Sequence, residues 1–319
     1  MHAAQVYLHQ NNAGLSRHAG ILREVLVDAG FQVAHEGIPV RRRGERYRAR
    51  VRSWLPRQQR TRLNVFVESL VPAAFHTARR SAFMPMQEWF EPTDWPLLPL
   101  VDVILCNSRE AARLFADCGA EVHWTGFTSV DRLDPTWDGP QEGILHVAGR
   151  SEFKGTAALI ACWRRHPEWP MLTVVGRSEM IPGDLPANVT AHRGLLTDEA
   201  LRALQNDAWL HLQPSEAEGF GHCIVEALSV GGVVISTDAP PMTEVVTPAT
   251  GFLVPWTHSS PMGVGTRYFV DVDALEATIQ LVLESGKDGQ AARRQAARQW
   301  FVDNDRRFRR DTAQLLHSL

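Results

Sequence analysis

Short, continuously apolar runs alternate along this chain with longer stretches whose apolar residues recur every three or four positions. A strand without a polar face has to be covered on both sides, so the alternation predicts parallel sheets sandwiched between helices. The runs Ala4 to Leu8, Phe31 to His35, Leu63 to Val67, Ser81 to Met86 and Val101 to Cys106 form one series, with helices over Leu15 to Ala29 and Ser108 to Cys118. Leu15, Ala19, Leu22, Leu26 and Val27 give the first helix its apolar stripe. Between Phe127 and Glu142 aspartates, prolines and a glycine follow one another without periodicity, which marks a linker. The rhythm then restarts with Gly143 to Val147, Met171 to Val175, Asn188 to His192, Trp209 to Gln213 and Val233 to Thr237 as strands. Helices are expected near Gly155 to Arg165, Asp198 to Gln205, Gly221 to Val230, Val272 to Glu284 and Gly289 to Asp303. The fold class is therefore α/β, with two doubly wound, Rossmann-like parallel-sheet domains. The first spans 1–130, a linker 131–142 and the second 143–295, with a helical segment over 296–319 packing back on the first domain. Sheets of this kind bind ligands at the carboxyl ends of their strands.

Composition narrows the function classes. An apolar share of 44% and a charged share of 22% exclude a disordered tail or a fibre. The most apolar stretch, Trp95 to Cys106, is interrupted by Pro96, Pro99 and Asp102, short of the roughly 18 residues a membrane span needs. The first residues lack the basic and apolar regions of an export signal, and Cys106, Cys118, Cys162 and Cys223 never form a C-x-x-C pair, so a reducing cytoplasm is expected. The 13 histidines show no H-E-x-x-H pattern, and no metal site is expected. Neither G-x-G-x-x-G nor a Walker A loop is present, which argues against a dehydrogenase or a P-loop enzyme.

One segment carries most of the chemistry. In Pro214-Ser215-Glu216-Ala217-Glu218-Gly219-Phe220-Gly221-His222 a strand ends, glycines permit close backbone approach and a helix begins near Gly221. Free N–H groups and the positive end of the helix dipole make such a turn an anion site. Glu218 before the helix and Glu226 a turn into it suit ribose or sugar hydroxyls, because a carboxylate accepts two hydrogen bonds from vicinal hydroxyls. Two solvated surface acids would give the same string, and the residues alone leave both readings open. A second turn, Val147-Ala148-Gly149-Arg150-Ser151-Glu152-Phe153-Lys154-Gly155, brings two cations to another strand end. Only Lys154 and Lys287 are lysines among 33 basic residues, so Lys154 stands out as a group that could neutralise a departing diphosphate. Asp271-Val272-Asp273 and Asp303-Asn304-Asp305 match a metal-binding Asp-x-Asp string but fall at expected helix edges, where aspartate caps free N–H groups.

Taken together, these residues resemble the retaining glycosyltransferases of GT-B fold, especially the large family four. The resemblance rests on Glu218 and Glu226 as a Glu-x7-Glu motif, on the strand Val233 to Asp238, and on Glu244-Val245-Val246 leading to Thr250-Gly251-Phe252-Leu253-Val254-Pro255. It extends to Gly149-Arg150, Lys154-Gly155, Gly194-Leu195-Leu196 and, in the first loop, Asn12, Gly14 and Leu15. It implies two domains facing a cleft, an acceptor-side one over 1–130 and a nucleotide-sugar-binding one over 143–295, and a sugar moved from a nucleotide-diphosphate donor to an acceptor hydroxyl with retention. No metal or bound cofactor would take part, the nucleotide sugar being a co-substrate. Arg150 and Lys154 would hold the diphosphate, Glu226 the ribose and Glu218 the donor sugar. The backbone of Gly219, Phe220, Gly221 and His222 would lie at the sugar and phosphates, beside Gly149, with Gly14 completing the cleft. The acceptor would be a glycan, glycolipid or small molecule, as in cell-surface polysaccharide biosynthesis. Departures are Pro240-Pro241-Met242-Thr243 in place of paired glycines, and Met84 to Phe90 where a histidine is usual. Glu88 and His76 are candidates there, though each is more simply explained as structural. A nucleotide-sugar epimerase and a non-catalytic sugar-nucleotide binder are the rival expectations.

The segment Arg41 to Arg62 holds ten arginines against Glu45 alone, a net +9 that leaves −12 for the rest of a chain of overall charge −3. With Tyr47, Val51, Trp54 and Leu55 among the charges, it is expected to lie on an anionic membrane surface, placing the protein on the inner face, or to grip an anionic acceptor. A solvated loop is the plain alternative, and nucleic acid is not expected because the remainder is acidic. Vesicle co-sedimentation checks this. Binding to anionic vesicles should occur at low salt, fade at high salt, and be lost when Arg41, Arg42, Arg43, Arg46 and Arg48 become glutamine.

Overall fold

The computed structural model describes residues 2–8, 13–37, 61–194 and 196–319. Asn12, Leu195 and the arginine-rich segment apart from Thr61 and Arg62 lie outside the described residues. The chain divides into one unit made of 1–129, 261–265 and 305–319, and a second made of 130–260 and 266–304.

The first unit contains β1 (His2–Leu8), α1 (Ala13–Asp28), β2 (Phe31–Gly37), β3 (Thr61–Val67), β4 (Ala78–Met84), β5 (Val103–Cys106), α2 (Arg109–Leu114) and β6 (Glu121–Trp124). Its six strands are parallel in the order β2-β1-β3-β4-β5-β6, so the order reverses between β1 and β3. In α1 the inward stripe is Ala19, Leu22, Val25 and Leu26, continued by Ala29 just past its end, whereas Val27 is 52% exposed. A period of 3.6 puts Val25, not Val27, on the face shared by Leu22 and Leu26. Strand β4 ends at Met84 rather than Met86, because Pro85 offers no N–H to a ladder. Ser108 caps α2 by accepting a hydrogen bond from the Ala111 N–H at 3.0 Å.

The second unit contains β7 (Gly143–Gly149), α3 (Thr156–Arg165), β8 (Leu172–Gly176), β9 (Val189–Arg193), α4 (Asp198–Asp207), β10 (Ala208–Gln213), α5 (His222–Ser229), β11 (Val233–Thr237) and β12 (Gly251–Val254). The parallel order β12-β11-β10-β7-β8-β9 reverses between β7 and β10. Leu159, Ile160 and Trp163 of α3 bury themselves against Leu172, Val174, Leu212 and Ile235, each large side chain contributing roughly 1.5–3 kcal/mol. Two doubly wound parallel sheets are thus present, as the apolar rhythm predicts. Strands β13 (Trp256–Met262) and β14 (Gly265–Val270) pair only with each other, followed by α6 (Val272–Gly289) and α7 (Ala291–Ser318).

The helix expected up to Asp303 and the helical segment expected over 296–319 are one continuous helix, α7, which runs fifteen residues past Asp303 because Phe308, Thr312 and Leu316 continue a buried stripe and Phe308 meets Phe127 edge-to-face at 4.8 Å. Asp303 and Asp305 consequently sit inside a helix, where Asp303 accepts from Gln299 and Asp305 pairs with Arg309, rather than capping one. Asp271 does cap α6, accepting from the N–H groups of Asp273 and Ala274 at 3.1 and 3.0 Å.

Two histidines lie fully inside the second sheet. His146 on β7 places Nδ1 2.7 Å from the Leu212 carbonyl and Nε2 2.8 Å from the Thr156 hydroxyl. A carbonyl only accepts, so Nδ1 carries the proton and Nε2 accepts from Thr156. Burial pushes the His146 imidazole down to about 4, the Leu212 bond working against it and the charge of Lys154 with it. Burial likewise pushes His211 down to about 4. Both are neutral when folded and charge when unfolded at mildly acidic pH, so stability falls as pH drops from about 6.5 towards 4. The loss approaches about 3 kcal/mol per histidine over that window. Urea titrations between pH 7 and 4 should show this decline, with about two protons taken up on unfolding near pH 5, and His211→Gln should halve the uptake.

Candidate functional site

In the second sheet the topological switch point lies between β7 and β10, and ligands of doubly wound sheets bind beyond the strand ends at such a point. The loops leaving these two strands carry the two motifs of the sequence. They touch through backbone: Gly155 has φ +68°, and a Cβ there would lie 2.3 Å from the Pro214 carbonyl oxygen. Only glycine satisfies both the left-handed conformation and that contact. The Glu216 N–H donates to the Phe153 carbonyl at 2.7 Å, closing the same seam.

Across this seam Lys154 pairs with Glu218, their side chains only 12% and 10% exposed. The two motifs, 64 residues apart, therefore converge on one ion pair. Neither group is a solvated surface charge. Arg150 follows Gly149, whose φ is +60°, and is exposed at the same strand end. Gly221, with φ +94°, precedes α5, and its neighbours Phe220 and His222 meet edge-on at 5.3 Å.

Glu226 is fully buried in α5 and accepts from Gln205 Nε2 at 2.9 Å. Gln205 accepts in turn from Arg132 Nε at 2.7 Å, and Arg132 donates to both Asp198 carboxylate oxygens, at 2.9 and 2.8 Å, and to the Asp198 carbonyl. The Ser229 hydroxyl accepts from the Arg132 N–H and donates to the Glu226 carbonyl. Nothing in the sequence singles out Arg132 among so many arginines, and its position in the aperiodic 127–142 stretch hides it.

A third support comes from the β13–β14 hairpin. Arg267 Nε donates to Glu216 Oε2 at 2.7 Å, and its guanidinium lies over the rings of Phe153 and Phe269 at 4.7 and 4.5 Å. The Tyr268 N–H donates to the Glu216 carbonyl at 2.7 Å. One cationic side chain thus braces the residue before Lys154 and the residue two before Glu218. Gly14, Glu88 and His76 belong to the first unit: Gly14 is the second residue of α1, Glu88 follows β4, and His76 precedes it. Among the described residues no group of three or more His, Cys, Asp or Glu side chains is arranged to hold a metal ion, and no helix is long and apolar enough to cross a membrane.

Residues 183–300 match the family model described as glycosyl transferases group 1. The matched residues lie within the second unit, apart from 261–265. A GDP-mannose:cellobiosyl-diphosphopolyprenol alpha-mannosyltransferase of Xanthomonas oryzae pv. oryzae is 29% identical over 188 residues, covering 54% of this chain. The match covers 49% of that protein, so the chain spans about half the length of this relative. Sucrose-phosphate synthase from Thermosynechococcus elongatus superposes with a TM-score of 0.70 at 16% identity, over 99% of this chain and 98% of that one. HepE of Anabaena, in complex with UDP-glucose, gives 0.70 and 16% over the whole of both chains. The fold is GT-B, and the residues matched by the family model lie almost entirely in its second unit.

The Arg132 hub of the second unit has a measurable weight. Arg132→Ala leaves Gln205 without its buried donor and frees the element that orients Glu226, and should lower the unfolding free energy by about 3 kcal/mol. Asp198 is 61% exposed, so Asp198→Asn should cost less than about 1 kcal/mol. Urea unfolding midpoints of the two variants check the contrast.

Proposed function

We propose that the protein is a retaining, metal-independent glycosyltransferase that moves a sugar from a nucleotide-diphosphate donor to an acceptor hydroxyl. The observation that carries this is the buried Lys154–Glu218 pair at the switch point, between a glycine-led strand end and the start of α5. Two largely desolvated charges held together suit a ligand that brings its own charge. A donor diphosphate supplies negative charge for Lys154 and Arg150 and for the N–H groups at the start of α5. Glu218, released from Lys154, then accepts hydroxyls of the donor sugar, and Glu226, fixed by Gln205, takes the ribose.

In the transfer the bond from the anomeric carbon to the β-phosphate oxygen breaks, and a bond to the acceptor oxygen forms on the same face. The acceptor proton passes to the departing phosphate oxygen, and the products are the nucleoside diphosphate and the glycoside. Charge grows on the diphosphate as its bond breaks, and Arg150 and Lys154 are the groups positioned to stabilise it. The mannosyl donor and lipid-diphosphate acceptor named for the Xanthomonas relative support a glycolipid acceptor here too, in cell-surface glycan synthesis. An anionic acceptor of that kind fits the arginine-rich segment.

Incubation with UDP-glucose, GDP-mannose and related donors in excess chelator tests the proposal. Free nucleotide and a product of retained anomeric configuration are expected. Lys154→Ala and Arg150→Ala should each lower turnover on the order of 10²-fold. Epimerised donor without transfer would favour an epimerase. Activity restored only by magnesium or manganese, or unchanged turnover in both variants, would contradict the proposed chemistry.

A further inference from the structure

The first sheet has a switch point of its own, between β1 and β3, and the residue that leaves β3 there is Glu68. Its backbone is left-handed, φ +64°, a conformation that costs any side chain with a Cβ and that glycine adopts freely. The local hydrogen bonds do not demand a glutamate. The Glu68 N–H donates to the Met84 carbonyl at 2.9 Å and the Ser69 N–H to the Val67 carbonyl at 2.7 Å, and glycine would make the same bonds. The carboxyl group is half-buried, and burial raises its pKa above the ordinary carboxylate value with no charge or hydrogen bond among the described residues to offset it. A strained backbone, a desolvated acid and a switch-point position are three separate costs or coincidences at one residue, and folding explains none of them.

We propose that Glu68 is an acceptor-binding residue, its carboxylate receiving hydrogen bonds from the hydroxyls of a carbohydrate acceptor on the first unit. The inference rests on the glycosyltransferase reading and gives it an acceptor class, a polyhydroxylated sugar. A half-buried carboxylate without a partner among the described residues gains two hydroxyl donors, and vicinal sugar hydroxyls fit its two oxygens.

The test uses the full chain with 13C-labelled glutamate, the Glu68 carboxyl signal being assigned by its loss in Glu68→Gln. Titration with glucose, mannose and cellobiose should move that signal saturably, and Glu68→Gln should weaken the affinity of the responding sugar at least about tenfold. A signal that no sugar moves, or an affinity unchanged in Glu68→Gln, overturns the proposal. In parallel, Glu68→Gly should raise the thermal midpoint by roughly 2 °C or more, because the strain disappears. A midpoint at or below the parent's removes the argument that the glutamate is kept against stability. Calorimetry of UDP and GDP with the parent tests the donor reading separately. A parent that binds sugar at Glu68 but neither nucleotide would overturn the transferase and leave a carbohydrate-binding site. One that binds nucleotide but shows no sugar response would do the reverse.

Discussion

Everything at the second switch point depends on how closely two stretches of backbone approach. Because Gly155 lies against the Pro214 carbonyl, the loops leaving β7 and β10 share a seam with no side chain between them. Any larger residue would push the loops apart and part Lys154 from Glu218, so an electrostatic feature is set by a steric one. The supports around the seam act from different directions. Arg267 braces it from the hairpin side through Glu216 and Phe153, and the Arg132–Gln205 chain fixes Glu226 from beneath. Charge in this region is therefore held by geometry, the preorganisation that the proposed transfer calls for.

The same part of the molecule shows how burial sorts ionisable groups. His146 is forced neutral by its surroundings and by the nearby positive charge of Lys154, whereas Lys154 has a carboxylate beside it. A neutral imidazole between a carbonyl and a hydroxyl costs little to bury, and it links β7 to β10 and to α3 at the strand ends. The rigid floor and the charged rim are thus neighbours with different chemistry.

Much of this was readable beforehand because continuous apolar runs have few places to go. Ten strands and the helices between them follow from that pattern alone, and the near absence of lysine drew attention to Lys154. The pattern failed where the physics differs from a buried strand. In β13 most residues are exposed and Pro261 interrupts the run, so no apolar signal exists, and the hairpin with Arg267 went unseen. Strand β6 is a four-residue edge with no fully buried residue. Arg132 and Glu68 escaped for another reason, since their importance lies in isolation from water and in backbone conformation, neither of which a one-dimensional string displays. Conversely, the assignment of Val27 to the core and of Asp303 to a helix edge shows that an error in phase or in length changes a side chain's surroundings completely.

The path of the chain has a consequence for how the molecule comes into being. Phe127, near the end of the first continuous stretch of the amino-terminal unit, packs on Phe308, and Arg309 reaches Glu24 at 2.9 Å. The unit whose synthesis begins first thus obtains part of its interior from residues 305–319, after the entire second unit has been translated. On the ribosome the carboxyl-terminal unit can close while its predecessor still waits with an open flank. A chain halted before Phe308 would carry a finished second unit and an unfinished first one, so chaperones and proteases would sense the missing residues in the amino-terminal unit.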